Sequence, residues 1–139
     1  MVAEAKKIMT LLVDVDEPKT VGRVAEGELR IIPIIGGTVE GDQLRGKVCP
    51  GGADWNTIIN EDLCHVMARY WIQTEDGAVI GIENEGWLNI RAQTAVMRTT
   101  PRFLCDLQGK YAFLTHGCFT GELSVTGKNQ VQIVVWKLR

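Results

Sequence analysis

An all-β domain is what this sequence predicts, on three observations. Its apolar runs are short and rich in β-branched residues, and each is bounded by a cluster of turn-forming residues. No capped apolar run at helical spacing persists for the ten or so residues that a helix needs, so any helix is short. Strands joined in sequence by tight turns predict a meander that closes into a barrel or folds over as a sandwich.

The expected strands follow in chain order. The run IMTLLV supports Lys7–Val13, which Asp14 and Asp16 interrupt. Glu28–Ile35 stops at Gly36-Gly37, read as a bulge, and Gly41-Asp42 turns the chain into Gln43–Cys49. Asn60-Glu61-Asp62 precedes Leu63–Thr74, and Glu75-Asp76-Gly77 joins it to Val79–Glu83. The Asp76-Gly77 pair suits a type I′ turn, so these two strands should pair antiparallel. Glu85-Gly86 is read as a further turn before Leu88–Thr94, and Gly109-Lys110 as one before Tyr111–Thr115. Gly127-Lys128-Asn129 separates Glu122–Thr126 from Gln130–Leu138.

Two strands show their faces. In the last one Val131, Ile133 and Val135 share a side, which should be core. In Leu63–Thr74 the even positions Cys64, Val66, Ala68, Tyr70 and Ile72 are mainly apolar, whereas His65, Met67, Arg69 and Trp71 make a mixed face. A mixed face is either a barrel lumen or an oligomer contact, because a plain solvent face rarely carries Met and Trp together.

At 139 residues the chain suits one domain, residues 1–139, with no repeat, linker or low-complexity segment to divide it. Hydrophobic residues make up 45%, charged residues 23%, and the net charge is −2, as in ordinary globular proteins. Fifteen Lys and Arg against seventeen Asp and Glu leave no basic footprint for nucleic acid. The N-terminal apolar run is too short for a signal segment or a membrane span, so a cytoplasmic protein with no membrane partner is expected. Cys49, Cys64, Cys105 and Cys118 form no C-x-x-C pair, and free thiols are expected, with neither a metal site nor a cofactor. No phosphate-loop or nucleophile-elbow spacing occurs.

The chemistry-bearing stretch is CPGGADW, Cys49 to Trp55. Pro50 cannot donate to a sheet ladder, so pairing should stop there, and Gly51 and Gly52 allow a sharp turn or a close approach. One reading has this turn aim Asp54 into a cavity with Trp55 as its apolar wall. The other has Asp54 bond to amides of its own turn while Trp55 anchors the loop. Arg69 in its apolar strand needs a partner or water, and Asp54 and Glu40 are the candidates. His65 shares the face of Arg69 but lacks an identifiable orienting acid, and Cys64 points the opposite way, which excludes a Cys-His dyad.

The blocks GGTVEGDQLRGKVCPGGADW, ARYWIQTEDGAVIGIENEG, RTTPRF and KYAFLTHGCFTG together resemble the family known as Domain of Unknown Function 3237, from about Gly36 to Gly121. The resemblance implies a closed antiparallel up-and-down β-barrel of the calycin or lipocalin-like type, with a central cavity and little or no helix. It implies no established activity. Glu40, Gly51, Gly52, Asp54, Trp55, Arg69 and Tyr70 match its pattern, as do Asp76, Gly77, Gly86, Arg102, Phe103 and Tyr111. Leu104 stands where the family tends to have an acid, whose absence would alter the charge of the barrel mouth or interior, and Phe113 stands where it tends to have tryptophan.

Three functions fit. The first is a barrel that binds a small organic molecule, whose polar end is held by Glu40, Asp54, Arg69 and Arg102, with Trp55 beside it. The second is an acid/base enzyme of the isomerase, cyclase or lyase type, in which Asp54 exchanges protons and Arg69 or Arg102 stabilises an anion. The third is a structural or oligomerising domain. A homo-oligomer is a further expectation, since barrel exteriors carrying Trp and Met serve readily as dimer contacts.

Overall fold

The structure is a computed structural model that describes residues 3–91 and 96–139. Ten antiparallel strands form one sheet: β1 (Ala5–Val15), β2 (Lys19–Val24), β3 (Gly27–Glu40), β4 (Arg45–Val48), β5 (Ala53–Ile58), β6 (Leu63–Thr74), β7 (Val79–Asn89), β8 (Met97–Leu104), β9 (Cys118–Gly127) and β10 (Gln130–Leu138). Pairing of β1 with both β10 and β3 closes the sheet. β4 and β5 share one place between β3 and β6, and β2 pairs only with β3. The closed circuit therefore has eight staves, the size whose interior side chains nearly fill. A barrel replaces the sandwich alternative because an unbroken ring of pairing leaves no edge within the circuit.

Side-chain alternation decides what lies inside. Val131, Ile133 and Val135 face the interior as expected, and so do the even residues of β6, with Tyr70 3% and Ile72 1% exposed. Met9, Leu11, Ile72, Ile80, Ile82 and Val135 pack one end of the barrel solidly. Residues Ala112–Thr115 form a single 3-10 turn and not the expected strand over Tyr111–Thr115; its Leu114, 1% exposed, caps that end. A smaller apolar cluster of Cys64, Val66 and Leu88 lies toward the other end.

Several expectations are corrected. β7 runs through Glu85-Gly86, where Gly86 pairs with Val66, so that dipeptide is no turn. The Leu88–Thr94 strand ends at Asn89 as the last part of β7, and its positions 92–94 lie outside the described residues. β2, β5 and β8 occupy segments that were not read as strands. A bulge is present, but at Ile35: Gly36 and Gly37 pair with Asp14 and Val13, the register shifts between Asp14 and Val15, and β3 runs on through the glycines to Glu40 and does not stop there.

The β6–β7 hairpin forms, but not through a type I′ turn. Among the described residues none other than glycine has positive φ, whereas Gly77 has φ 92°. A Thr74–Gly77 turn, closed by the Gly77 amide donating to the Thr74 carbonyl at 3.0 Å, gives a three-residue loop. Asp76 then ties this loop to the capping turn: its carboxylate accepts from Thr74 Oγ1 at 2.5 Å and Tyr111 Oη at 2.8 Å, and pairs with Lys110 Nζ at 3.0 Å. The Thr74 hydroxyl, then Lys110 and Tyr111, hold its carboxyl well below the ordinary value near 3.8.

A carboxyl depressed in the folded state adds stability above its unfolded pKa and loses it as pH falls through the folded one. Asp76→Asn keeps a turn-competent residue and removes the charge. The variant is expected to unfold at lower urea than wild type at pH 7, and the gap between the two midpoints should shrink progressively as pH falls below about 3.8. A gap independent of pH would refute the ionic role.

Candidate functional site

The interior is not filled throughout. Between the two apolar clusters lies a cavity of about 120 Å³, to which all eight staves contribute. Val13, Ile34, Tyr70 and Ile133 form its floor on the solid core, while the partly exposed Val15, Ile32, Leu123 and Val131 mark its open side. Its wall is apolar except for Asp54, Asn84, Thr99 and the Tyr70 phenol.

Small residues make the space. Ala68, Gly86, Thr99 and Gly121 take the inward positions of four successive staves, and Thr99 lies over both glycines. A Cβ on Gly121 would meet Thr99 Oγ1 at 2.5 Å, and one on Gly86 would meet Thr99 Cγ2 at 2.8 Å. Three staves together thus supply one side chain where a filled barrel layer would have three.

Asp54 is delivered by the CPGG break. β4 stops at Val48, the chain bulges through Cys49 to Gly52, and pairing resumes at Ala53. The Cys49 amide donates to the Trp71 carbonyl and the Ile34 amide to the Gly52 carbonyl, both at 2.9 Å, so the break is stitched to both neighbours. Asp54, as the second residue of β5, points inward and Trp55 outward, as an extended chain requires. Asp54 Oδ1 accepts from the Met67 amide of β6 at 3.2 Å, and not from its own turn.

Burial pushes the Asp54 carboxyl above the ordinary carboxylate range, against the opposing pull of the Met67 amide, the Asn56 side chain and the Arg30 charge. Burial, then the charge of Asp54, raises the Tyr70 phenol. Asn56, 7% exposed, links the polar groups: its Oδ1 accepts from Arg30 Nη2 at 2.9 Å and from Cys64 Sγ at 3.4 Å. Arg30 Nε is buried without a partner among the described residues.

The other sequence candidates are not brought here. Trp55 is 51% exposed on the outer wall, so it is no wall of the cavity. Arg69, at an odd position of β6, is exposed on the outside and pairs with neither Asp54 nor Glu40. Arg102 is likewise outside, in an ion pair with Glu83 at 3.3 Å. Glu40 belongs to an open surface groove with Lys7 to Thr10 and Arg45. Leu104, also exposed, covers Gly81 on the outer face, so the missing acid changes neither mouth nor interior.

His65 does have an acid: Nε2 lies 2.7 Å from Glu85 Oε2, and its ring stacks on Trp87 at 4.1 Å, all on the outer wall. The mixed face of β6 is therefore exterior and its even face is the lumen. Arg30, Asn56, Asn84 and Thr99 are the residues that sequence reasoning missed. Period-2 alternation in GELRIIPII would have placed Arg30 inward with Ile32 and Ile34.

All four cysteines are free, and no cluster of three potential metal ligands occurs among the described residues. No helix among them is long and apolar enough to cross a membrane.

The sequence profile of the family described as protein of unknown function (DUF3237) matches residues 3–138. A protein of Rhodopseudomonas palustris named UPF0311 protein is 40% identical over 83 residues, which cover 60% of this chain and 54% of the relative. The chain thus spans about half the length of this curated relative. The crystal structure of a conserved protein of unknown function from the same species superposes with a TM-score of 0.89 at 30% identity, covering 100% of this chain and 99% of the other. A β-barrel-like protein of Acinetobacter baumannii has the same fold, with a TM-score of 0.88 at 24% identity and coverage of 100% and 98%. With its profile matched almost from end to end and its eight-stave barrel shared by solved relatives, the chain belongs to the family described as protein of unknown function (DUF3237).

Proposed function

We propose that the chain binds a small organic molecule inside the barrel, with Asp54 as the polar anchor. One observation carries this reading: a largely apolar cavity that every stave helps to line has a buried carboxyl in its wall. Asn56 and Arg30 orient that carboxyl from the side. They replace Arg69 and Arg102, which the barrel wall separates from any ligand.

Asp54→Asn tests the anchor. A carboxyl whose folded pKa is raised stabilises the fold fully below its unfolded pKa, and stability falls as pH rises from about 3.8 through the folded value. Asp54→Asn should therefore raise the thermal midpoint at pH 7 and have less effect near pH 3. Native mass spectrometry of the purified protein should show bound ligand in wild type and loss of it in the variant. Arg69→Met, on the exterior, is expected to change stability by less than about 0.5 kcal/mol and to keep the ligand. Equal ligand retention in wild type and Asp54→Asn would refute the anchor.

The raised proton affinity of Asp54 favours a second reading, acid/base catalysis of an isomerase, cyclase or lyase type. A metabolite pool incubated with wild type should then change where the Asp54→Asn pool does not.

A further inference from the structure

Asn84 on β7 and Thr99 on β8 are 3% and 4% exposed, and both line the Asp54 cavity. Asn84 Oδ1 and Thr99 Oγ1 have no hydrogen-bond partner among the described residues. Buried polar atoms are nearly always satisfied, and leaving one unpaired is unfavourable enough that two such groups in one cavity need a reason. The geometry around them is built and not incidental. Gly86 and Gly121 both give way to the Thr99 side chain, which holds its hydroxyl inside the barrel. A ligand atom that donates to Asn84 and exchanges a hydrogen bond with Thr99 would complete both groups.

Size and charge narrow the class. The cavity, about 120 Å³, is smaller than the ~150 Å³ apolar cavity that takes up a benzene ring. Asn84 and Thr99 carry no charge. The one carboxyl in the wall already accepts from the Met67 amide and burial favours its neutral form, while Arg30 donates to Asn56 and lies outside the lining. An ion entering so apolar a chamber would give up its hydration without a free counter-charge.

Granting that the chamber is a binding site, we infer that its ligand is an uncharged, mainly apolar compound whose enclosed part is no larger than a single ring and bears a hydroxyl that bonds to Asn84 and Thr99. The apolar body packs on Val13, Ile34, Val131 and Ile133, and the hydroxyl replaces the missing partners. Thr99 then acts in recognition at some expense to the empty protein. Its isosteric replacement by valine removes an unpaired buried hydroxyl and keeps the shape.

Four probes of equal ring size test this: cyclopentanol, methylcyclopentane, cyclopentylammonium and cyclopentanecarboxylate. Each is titrated against the protein while the methyl NMR signals of the lining Val, Leu and Ile residues are followed. Cyclopentanol should shift these signals in wild type and the two ions should not. The preference for cyclopentanol over methylcyclopentane should fall by about five- to tenfold in Thr99→Val and in Asn84→Ala. The empty Thr99→Val protein should melt about 3 °C higher than wild type, which also verifies that it folds.

If no probe shifts the lining methyls, both the chamber reading and this inference fail. If the uncharged probes bind but the two variants leave the preference unchanged, or if an ion binds more tightly than cyclopentanol, the hydroxyl inference alone fails.

Discussion

Replacing Gly52 with alanine should destabilise the protein by about 3 kcal/mol, near the upper end for overpacking, read as a lower midpoint in chemical denaturation. The added Cβ would lie 2.4 Å from the Arg69 carbonyl oxygen, 2.4 Å from Tyr70 Cβ and 2.7 Å from Tyr70 Cα. These are backbone or near-backbone atoms of β6, so no rotamer change relieves the clash. Gly52 does not have positive φ, which makes the requirement one of space and not of dihedral freedom. Gly51 differs: its φ is 123°, and the Trp71 ring lies directly over it. Relief would have to come from moving β5 away from β6, and β5 carries Asp54. The variant should therefore also weaken the hydrogen bond from the Met67 amide to Asp54, seen as faster amide exchange at Met67. A loss below about 1 kcal/mol would mean that the two strands are not held as closely as described.

Leu114→Ala is expected to lower stability by a similar amount, about 3 kcal/mol, because a fully buried leucine is lost and a cavity remains. Leu114 belongs to the turn that caps the solid end of the barrel and is 1% exposed. The turn is held by the Leu114 amide donating to the Tyr111 carbonyl at 3.0 Å and by Lys137 Nζ donating to the Phe113 carbonyl at 3.1 Å, so its backbone resists collapse into the gap. Urea denaturation measures the loss. The Asp54 chamber has none of its lining in this turn, so ligand retention should be unchanged. Loss of ligand without loss of stability would contradict the separation of cap and chamber.

The barrel was legible because its information is local: short alternating runs, dense turns and the odd-position core of β10. The strands that went unread each break a local rule. β8 contains Pro101, and β5 begins directly after Pro50-Gly51-Gly52, where proline and glycine argue against pairing. In β8 the sheet tolerates proline because the β8–β9 register ends at Thr99, two residues before it. The capping turn was misread because a four-residue apolar run such as AFLT has no period of its own.

For the site, only Asp54 reached the cavity. Arg69 and Arg102 are expected from sequence to hold the polar end of a ligand, yet they sit at positions whose parity sends them to water. Apart from Arg30, which alternation would have placed, the polar groups that went unread are the amides of Asn56 and Asn84 and the Thr99 hydroxyl, which composition does not distinguish from surface residues. Their significance comes from closing the circuit, since only then do β5, β7 and β8 surround one space.

The parity that places Asp54 inside also places Trp55, Trp71 and Trp87 outside, 51%, 38% and 60% exposed. Trp136, on the outward face of β10, is the fourth tryptophan of the chain and is not a lining residue of the chamber either. Ultraviolet-excited emission from Trp55, Trp71 and Trp87 therefore originates on the outer wall. A spectral change during a titration would report contact with that wall, including contact by a second molecule of the protein, while a compound could fill the chamber almost without an optical trace.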